Sequence, residues 1–495
     1  MELDRDLASL QQARNLIGEA RKALEVMKNF TQEQVDRVID FMREAGEANA
    51  ARLAMMAVSE TGMGKYEDKC LKNYFASRHV YEFIKNMKTA GIIREDKQAR
   101  IWEIAEPVGV ITGIVPTTNP TSTVIYKAMI ALKARNAIVF SPHPAAVRCT
   151  YEAAKLMNQA AVAAGAPDGV IGCLSTVTME ATNELMKHRD TTLILATGGS
   201  GLVKAAYSSG KPALGVGPGN VPAFVERTAN LAKAAENILI GKTFDNGTIC
   251  ASEQAIVAEE CIADELIRQL QHHGAYFLNE EETQKVAKAV MLANGGMNPK
   301  VVGKEAKAVA RYAGIQVPEN TRCLVAPLRG VGPEYPLSFE KLTTVLGFYR
   351  VQNWHEGCER CIELLKAGGI GHSLVIHSEN EEIIREFGLR KPIFRILVNT
   401  PASLGAVGAT TGLAPSFTLG CGTWGGSSVS ENVTPLHLIN IKRVAWLTRQ
   451  PAELTFPGSP DAGGQRTACS PAAVAPELVQ QIAEQVLRHL QSSKG

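Results

Sequence analysis

One stretch of the chain, residues 244–253 (FDNGTICASE), has residue types suited to covalent chemistry. Cys250 follows a short polar loop that contains a glycine, and the apolar residues at 254–258 predict a strand directly after it. A thiolate in such a loop can attack an electrophilic carbon, which makes Cys250 a candidate nucleophile. The simpler alternative is a small buried core residue, the usual role of a free cysteine.

A second polar loop, TTNPTS at residues 117–122, lies between an apolar run at 107–116 and a helix predicted over residues 123–134. The apolar run is typical of a strand buried on both faces of a parallel sheet. A loop that follows such a strand lies at the carboxyl edge of the sheet, where ligands bind in α/β folds. The amide of Asn119 is therefore a candidate hydrogen-bond donor, although a turn or a helix cap is the simpler role.

Four other residues could take part in chemistry, but the sequence gives less support for a functional role at these positions. Glu340 stands between apolar residues and is either a solvated glutamate or an acceptor for a ribose hydroxyl. His372 lies in a glycine turn and is either a base or a hydrogen-bonded spacer. Cys358 and Cys361 have the spacing of a redox or zinc motif, but the chain has no second such pair and residues 354–366 are predicted to be helical, which favours a structural role.

The elements that must position these residues alternate between strand and helix. Strands are predicted at 136–140, 169–174 and 192–196, each followed by a helical pattern, and such alternation predicts a parallel, doubly wound sheet. The glycine turn TGGSG at 197–201 opens a helix and would let a phosphate approach the N-terminus of that helix. The first half therefore suits nucleotide binding, and a second α/β unit follows through about residue 430.

Several flanking segments complete this plan. Residues 3–60 are predicted to form amphipathic packing helices, the second of which begins at Thr31 with a capping box. Residues 213–222 (ALGVGPGNVP) predict a linker or close-contact loop between domains. Residues 436–446 predict a strand.

Bulk composition excludes several classes of function. A chain of 495 residues exceeds a single core and predicts two or three domains. The net charge of +2, with no basic run, gives no indication of nucleic acid. No apolar run reaches the ~20 residues that span a bilayer, and the charged N-terminus lacks a signal-peptide pattern, so a cytosolic protein is expected.

The C-terminal tail differs in kind. Residues 448–473 have the composition of a flexible linker, and a short helix is predicted after them. Its apolar stripe consists of Leu478, Val479, Ile482, Val486 and Leu490. A helix this short is marginal alone in water, so it is expected to dock in a groove of a partner or to pack on its own subunit.

The combined motifs resemble those of the aldehyde dehydrogenase superfamily over residues 3–446. Asn119, TGGSG at 197–201, GTIC at 247–250 and FEKL at 339–342 occur in its order and rough spacing. The chain is similar, more narrowly, to the coenzyme-A-acylating branch, the acetaldehyde and propanal dehydrogenases. The segments that carry this narrower likeness are SPHP at 141–144, NVP at 220–222 and SFTLG at 416–420.

The resemblance implies an α/β fold with two doubly wound parallel-sheet domains and a small oligomerisation strand. The implied ranges are an NAD-binding domain at 1–222 with a strand hairpin near 99–106, a catalytic domain at 223–430, an oligomerisation strand at 431–447, the linker at 448–473 and an amphipathic helix at 474–492. A homo-oligomer is expected, with no metal.

The resemblance also implies roles for individual residues. Cys250 would attack the aldehyde, and Asn119 with the backbone N–H of Cys250 would stabilise the oxyanion. Hydride would pass to NAD⁺, and the thiol of coenzyme A would then take the acyl group from Cys250. Glu340 would bind the nicotinamide ribose. The remaining cofactor-binding residues would be Ser141, Pro142, Thr197, Gly198, Gly199, Ser200 and Gly201.

One departure from the wider superfamily bears on the reaction. Hydrolytic members carry a glutamate general base in a Glu-Leu-Gly-Gly segment, whereas residues 215–218 here are GVGP. Water needs such a base for deacylation, but coenzyme A brings its own sulfur nucleophile, so the loss fits acyl transfer. The alternatives are a hydrolytic dehydrogenase, an enzyme acting on a γ-semialdehyde, and a catalytically silent cargo or scaffold protein.

The tail resembles the encapsulation peptides of bacterial microcompartment cargo. This likeness implies a setting in the bacterial cytoplasm, inside a microcompartment, with a shell or co-cargo protein as the partner of the C-terminal helix.

Overall fold

The computed structural model describes residues 4–454, 480 and 483–485. The α-helices of this part are α1 (Arg5–Met27), α2 (Gln32–Ala48), α3 (Ala50–Thr61), α4 (Tyr66–Tyr74), α5 (Val80–Ile84), α6 (Pro120–Lys133), α7 (Val147–Ala163), α8 (Met179–Lys187), α9 (Ser200–Tyr207), α10 (Leu231–Thr243), α11 (Glu260–His272), α12 (Glu280–Val290), α13 (Ala306–Ala313), α14 (Trp354–Gly368), α15 (Glu381–Arg390) and α16 (Ala402–Ala406). A π-helical turn, Phe75–His79, joins α4 to α5.

The strands are β1 (Gly91–Asp96), β2 (Ile101–Pro107), β3 (Val110–Ile114), β4 (Ala137–Ser141), β5 (Ile171–Cys173), β6 (Thr191–Thr197), β7 (Ala213–Val216), β8 (Val221–Val225), β9 (Glu253–Glu259), β10 (Ala275–Phe277), β11 (Cys323–Pro327), β12 (Val345–Val351), β13 (Leu374–His377), β14 (Ile396–Val398) and β15 (Ile439–Ala445). The strands predicted at 136–140, 169–174 and 192–196 are confirmed as β4, β5 and β6.

The first sheet is parallel, in the order β5-β4-β3-β6-β7. Every residue of β3 and β4 is buried, as their continuous apolar sequence predicts. The chain winds outward from β3 through β4 to β5, and from β6 to β7 on the other side. The carboxyl ends of β3 and β6 therefore flank the point where the winding reverses, which is where doubly wound sheets open a ligand crevice.

The second sheet is also parallel, in the order β10-β11-β12-β9-β8-β13-β14. Two doubly wound parallel sheets were the predicted fold class, and they are confirmed. The linker predicted over residues 213–222 is wrong at both ends, because β7 completes the first sheet and β8 begins the second. Only residues 217–220 connect the two strands, since Leu214, Val216 and Val221 pack as strand residues despite the surrounding glycines.

The N-terminal helices pack as expected. Thr31 Oγ1 accepts the backbone N–H of Gln34 at 3.4 Å, and Gln34 Oε1 accepts the N–H of Thr31 at 2.8 Å, which confirms the capping box of α2. The apolar face of α2 belongs to the core cluster of the first sheet. None of the described helices is long and apolar enough to cross a membrane.

The described chain divides into two compact units, residues 4–94 with 103–442, and residues 95–102 with those from 443 onward. In the smaller unit the rings of Trp102 and Trp446 meet edge to face, with their centroids 4.8 Å apart. Strands β1, β2 and β15 form a three-stranded sheet in that order. The strand predicted at 436–446 is confirmed as β15, and its role in oligomerisation stays a prediction.

The remaining sequence predictions concern the cysteine pair at 358 and 361 and the C-terminal tail. Cys358 and Cys361 are buried on α14, which confirms the predicted helix there. The described residues contain no group of three or more His, Cys, Asp or Glu side chains that could hold a metal ion. The predicted linker at 448–473 and helix at 474–492 lie outside the described residues, apart from residues 448–454, 480 and 483–485.

Candidate active site

Cys250 is held by a loop with unusual backbone geometry. Asp245, Asn246 and Gly247 have φ angles of 47°, 53° and 74° in succession, a left-handed conformation that residues with a Cβ rarely adopt. Such strain persists only where surrounding contacts enforce it, and it is typical of functional sites. Aspartate, asparagine and glycine enter this region more readily than other residues, so local preference and tertiary contacts together shape the nucleophile loop.

The sulfur of Cys250 lies 3.3 Å from Nε2 of His372, and Nδ1 of that ring lies 3.1 Å from Oγ of Ser373. His372 lies two residues before the start of β13 and is fully buried. A Cβ at Gly219 would lie 2.2 Å from the carbonyl oxygen of Cys250 and 3.2 Å from the His372 ring, so only glycine fits there. The structure thus pairs the candidate nucleophile with the histidine that the sequence left open between a base and a spacer.

The electrostatics of this pair define its resting state. Burial, with smaller contributions from Glu340 and Cys421, raises the pKa of Cys250 to about 12 against the opposing effect of Arg395. Burial, together with Arg395, lowers the pKa of His372 to about 3. Near neutral pH the pair is a thiol and a neutral imidazole. In this state the thiol can donate to Nε2 in the tautomer whose Nδ1–H donates to Ser373.

Asn119 reaches the same loop from the first sheet, because it ends the connection between β3 and α6. Its Nδ2 donates to the carbonyl of Thr248 at 3.4 Å and to Oγ1 of Thr118 at 3.0 Å, while its Oδ1 accepts from Nζ of Lys72 at 2.5 Å. The structure brings Asn119 to the loop of Cys250, and its role in catalysis stays a prediction.

Glu340 is a further ionisable group whose charge acts on Cys250. Its Oε1 accepts the backbone N–H of Gly219 at 3.1 Å. Burial raises the pKa of Glu340 to about 7, opposed by that backbone N–H and by Lys242 and Lys341. A carboxylate that is half-titrated near neutral pH and acts on the nucleophile electrostatically is typical of a functional site. Its predicted contact with a ribose stays a prediction.

The predicted cofactor residues gather at the carboxyl ends of the first sheet. Ser141 ends β4, Pro142 follows it, and Thr197 ends β6 before the turn Gly198–Gly201 that opens α9. The Oγ1 of Thr197 is buried without a hydrogen-bond partner among the described residues. Open space surrounds the Cβ positions of Gly199 and Gly201, so a phosphate can approach the N-terminus of α9. These features fit a nucleotide. Oγ of Ser141 lies 2.9 Å from Oγ1 of Thr182, and the contact of Ser141 with a cofactor stays a prediction.

In the segment 215–218, which lacks the glutamate of hydrolytic enzymes, position 215 has no room for a side chain. A Cβ at Gly215 would lie 2.8 Å from both the Tyr207 ring and a methyl group of Val203. The hydroxyl oxygen of Tyr207 accepts the N–H of Gly215 at 2.9 Å and that of Ser428 at 3.0 Å, which fixes the ring in place. The packing therefore enforces the absence of a carboxylate at this position.

Sequence analysis missed two cationic residues beside the site. Lys72 is buried and contacts Asn119 directly. Arg395 is buried too, and its guanidinium donates to the carbonyl of His372 at 2.7 Å, to Oδ1 of Asn432 at 2.7 Å and to the carbonyl of Gly420. Lone basic residues in a sequence are most often solvated. The only available signal was the clustering of Asp68, Lys69 and Lys72 on one helical face.

Two doubly wound parallel sheets, with Asn119 of the first brought to the loop of Cys250, match the fold of the aldehyde dehydrogenases. The profile of the Aldehyde dehydrogenase family matches residues 5–277, and the chain belongs to that family.

Three relatives illustrate where in the family the chain lies. It is 54% identical to the acetylating aldehyde dehydrogenase from Geobacillus thermoglucosidasius, whose crystal structure matches with a TM-score of 0.90 over 91% of this chain and 99% of that one. A propionaldehyde dehydrogenase from the fucose utilisation bacterial microcompartment of Clostridium phytofermentans is 31% identical, with a TM-score of 0.80 over 88% and 97% of the two chains. The bifunctional aldehyde-alcohol dehydrogenase AdhE of Escherichia coli K12 is 47% identical over 435 residues, which cover 87% of this chain and 49% of that protein. The chain thus spans about half the length of the aldehyde-alcohol dehydrogenases that it matches.

Proposed function

We propose that the protein is a CoA-acylating, NAD-linked aldehyde dehydrogenase that converts acetaldehyde or propanal, coenzyme A and NAD⁺ to acyl-CoA and NADH. The observation that carries the proposal is the pairing of Cys250 with His372 at 3.3 Å in a site whose position 215 has no room for a carboxylate. The acetylating and propionaldehyde-specific relatives support the same reaction class.

In the first half-reaction, Sγ of Cys250 attacks the aldehyde carbon while its proton passes to Nε2 of His372. The imidazole is neutral before the attack, so a lone pair at Nε2 can accept this proton, and the alkoxide that forms beside it must stabilise the imidazolium against the effect of burial, which lowers its pKa. The amide of Asn119 and the backbone N–H of Cys250 hold the new alkoxide oxygen. When bound, NAD⁺ accepts the hydride of the aldehyde carbon, and the acyl group is left as a thioester on Cys250.

In the second half-reaction, coenzyme A attacks that thioester. The imidazolium of His372 first releases its proton to solvent, and the neutral ring then accepts the proton of the incoming thiol. The carbonyl oxygen becomes an alkoxide held by the same donors. Collapse of this intermediate breaks the bond to Sγ of Cys250, which regains a proton from His372 as acyl-CoA leaves. Position 215 holds no carboxylate that could activate water as the glutamate of hydrolytic members does, which favours coenzyme A as the acyl acceptor. Thr197 and the turn Gly198–Gly201 would hold the nucleotide, with Glu340 on the ribose.

The test is NADH formation from acetaldehyde and from propanal, with and without coenzyme A, by the wild type and by Cys250→Ala. The proposal expects acyl-CoA and NADH only when coenzyme A is present, and neither product from the variant. NADH formation that does not depend on coenzyme A would identify a hydrolytic dehydrogenase instead. Inactivity under every condition would favour a silent cargo protein. The ratio of rates ranks the two aldehydes.

We further propose that the protein is packaged in a bacterial microcompartment through its C-terminal segment, residues 474–492. The linker composition and the apolar stripe of the sequence support this proposal, as does the microcompartment origin of one structural relative. Removal of residues 474–492 is expected to leave the turnover number unchanged and to abolish co-purification with shells. Retained co-purification would contradict the proposal.

A further inference from the structure

Lys72 lies beside the candidate active site, yet no step described above uses it. Its side chain is 3% exposed on α4. The ammonium donates to Oδ1 of Asn119 at 2.5 Å and to Oδ2 of Asp245. Asp245 is itself fully buried and lies five residues before Cys250. Lys72 therefore joins α4 to both the amide and the nucleophile loop of the site.

The contact with Asn119 determines which way its amide points. An ammonium group only donates hydrogen bonds, so it must face the carbonyl oxygen of the amide and not its NH₂. Nδ2 is consequently directed to the loop of Cys250, where it meets the carbonyl of Thr248 at 3.4 Å. Without Lys72 the amide could turn over and present an oxygen to the developing oxyanion, which would repel it.

Asp245 in turn holds Lys72 in place. Its carboxylate also accepts from Nζ of Lys69 at 2.9 Å, from Oγ1 of Thr248 at 2.6 Å and from the backbone N–H of Lys65 at 2.8 Å. Although burial alone would raise it, the pKa of Asp245 lies below its ordinary value because Lys72 and Lys69 stabilise the charged form. This carboxylate is saturated with donors, so the ammonium of Lys72 cannot move without breaking the loop contacts.

The charged groups that face Lys72 are Asp245, Lys69 and Asp68. Burial lowers the pKa of Lys72, and the opposing charge of Asp245 favours the ammonium form that donates to the amide. Removal of one partner of a buried ion pair is strongly destabilising, so Lys72 also supports the fold through Asp245. Its second contact, with the amide of Asn119, is the one that bears on catalysis.

We propose that Lys72, held by Asp245, is a positioning residue that fixes the amide of Asn119 with its N–H toward the oxyanion formed at Cys250. The proposal rests on the acylating function proposed above and adds a residue to its machinery. Lys72 acts only through Asn119, so its contribution must vanish when the amide is absent.

The experiment is a double-mutant cycle with Lys72→Met, Asn119→Ala and the double variant, measured as CoA-dependent NADH formation. Methionine keeps the apolar stem but cannot donate. We expect Lys72→Met to lower kcat about 10- to 100-fold, less than the ~10²- to 10³-fold loss of an oxyanion donor, with KM for NAD⁺ and coenzyme A nearly unchanged. In the Asn119→Ala background the same change should lower kcat by no more than about 2-fold.

A matched control is available in Lys133, which is also buried and whose ammonium donates to Asp36 and to the carbonyl of Lys85 at 3.0 Å, away from Asn119. Lys133→Met should retain the wild-type kcat even where its Tm falls as far as that of Lys72→Met. If Lys72→Met does not fold, Lys72→Arg and Lys72→Gln replace it, and the arginine variant should retain the higher kcat because it keeps a charged donor.

Losses that multiply in the double variant would overturn the proposal, as would a wild-type kcat in Lys72→Met. If the wild-type protein shows no CoA-dependent activity, the proposed acylating function itself is refuted. Asn119→Ala with undiminished kcat would overturn both the amide's role and that of Lys72.

Discussion

The reactivity of Cys250 in the ligand-free enzyme is the most direct consequence of the site's electrostatics. Only the thiolate reacts with an alkylating agent such as iodoacetamide. Raising the pKa of Cys250 from its ordinary 9.0 to about 12 lowers the thiolate fraction about 1000-fold at any pH below both values. We therefore expect Cys250 to be alkylated far more slowly than an exposed cysteine, although it is the nucleophile.

The chain supplies an internal reference for this measurement. Cys261 lies on the exposed face of α11. Quantitative mass spectrometry of the peptides that contain Cys250 and Cys261 follows both thiols in one sample after brief exposure to iodoacetamide. Because steric burial also slows alkylation, the absolute rate alone does not show that the pKa of Cys250 is raised. The pH dependence of the rate does show it, since a hindered thiol still reacts in proportion to its thiolate fraction.

The expected result is a rate for Cys250 that rises about tenfold per pH unit from pH 6.5 to 9.5 without levelling off. A plateau below about pH 8.5 would refute the reasoning, because it would mean that the thiolate already exists in the resting site. Equal rates for Cys250 and Cys261 at pH 7 would refute it as well. Either outcome would remove the need for His372 to accept the proton during attack.

Three further predictions concern the neighbours of Cys250. Glu340→Gln removes a negative charge that raises the pKa of Cys250, so alkylation of Cys250 at pH 8 should become faster, and an unchanged rate would contradict the electrostatic link. His372→Ala removes the base and should lower CoA-dependent turnover about 10²- to 10⁴-fold, as measured by NADH formation, and a turnover equal to that of the wild type would contradict the role of the base. Gly215→Glu should fail to create a hydrolytic enzyme and should destabilise the fold by about 1–3 kcal/mol through overpacking, as measured by denaturant unfolding, whereas Gly18→Ala, which meets open space, should not. Free acid released by Gly215→Glu without coenzyme A would contradict the packing argument.

Much of the fold could be predicted from the sequence because parallel strands buried on both faces leave a strong pattern. The continuous apolar residues of β3 and β4 indicate such strands directly, and the Thr31 capping box marks the start of α2. The linker predicted at 213–222 failed because glycine density was taken as a sign of irregular backbone. Here Gly215 is required by the close approach of Tyr207 to a strand, and sequence alone does not distinguish that from a loop.

The candidate site was harder to predict because it is assembled from opposite ends of two sheets. Asn119 follows β3 and so lies at the carboxyl end of the first sheet, where the rule for α/β folds places ligands. Cys250 and His372 precede β9 and β13, at the amino ends of the second sheet, where that rule predicts nothing. Their meeting depends on the short 217–220 connection, and on Gly219 leaving room for the pair.

The same geometry explains why Lys72 and Arg395 could not be predicted from the sequence. Lys72 and Arg395 lie far from Cys250 in sequence, and nothing in their local patterns separates them from solvated basic residues. Both side chains are buried beside the site, and burial is what gives their charges influence over Cys250 and Asn119. The sequence can thus name a nucleophile from its loop, but the groups that set its proton affinity and direct its amide donor become visible only when the two sheets are brought together.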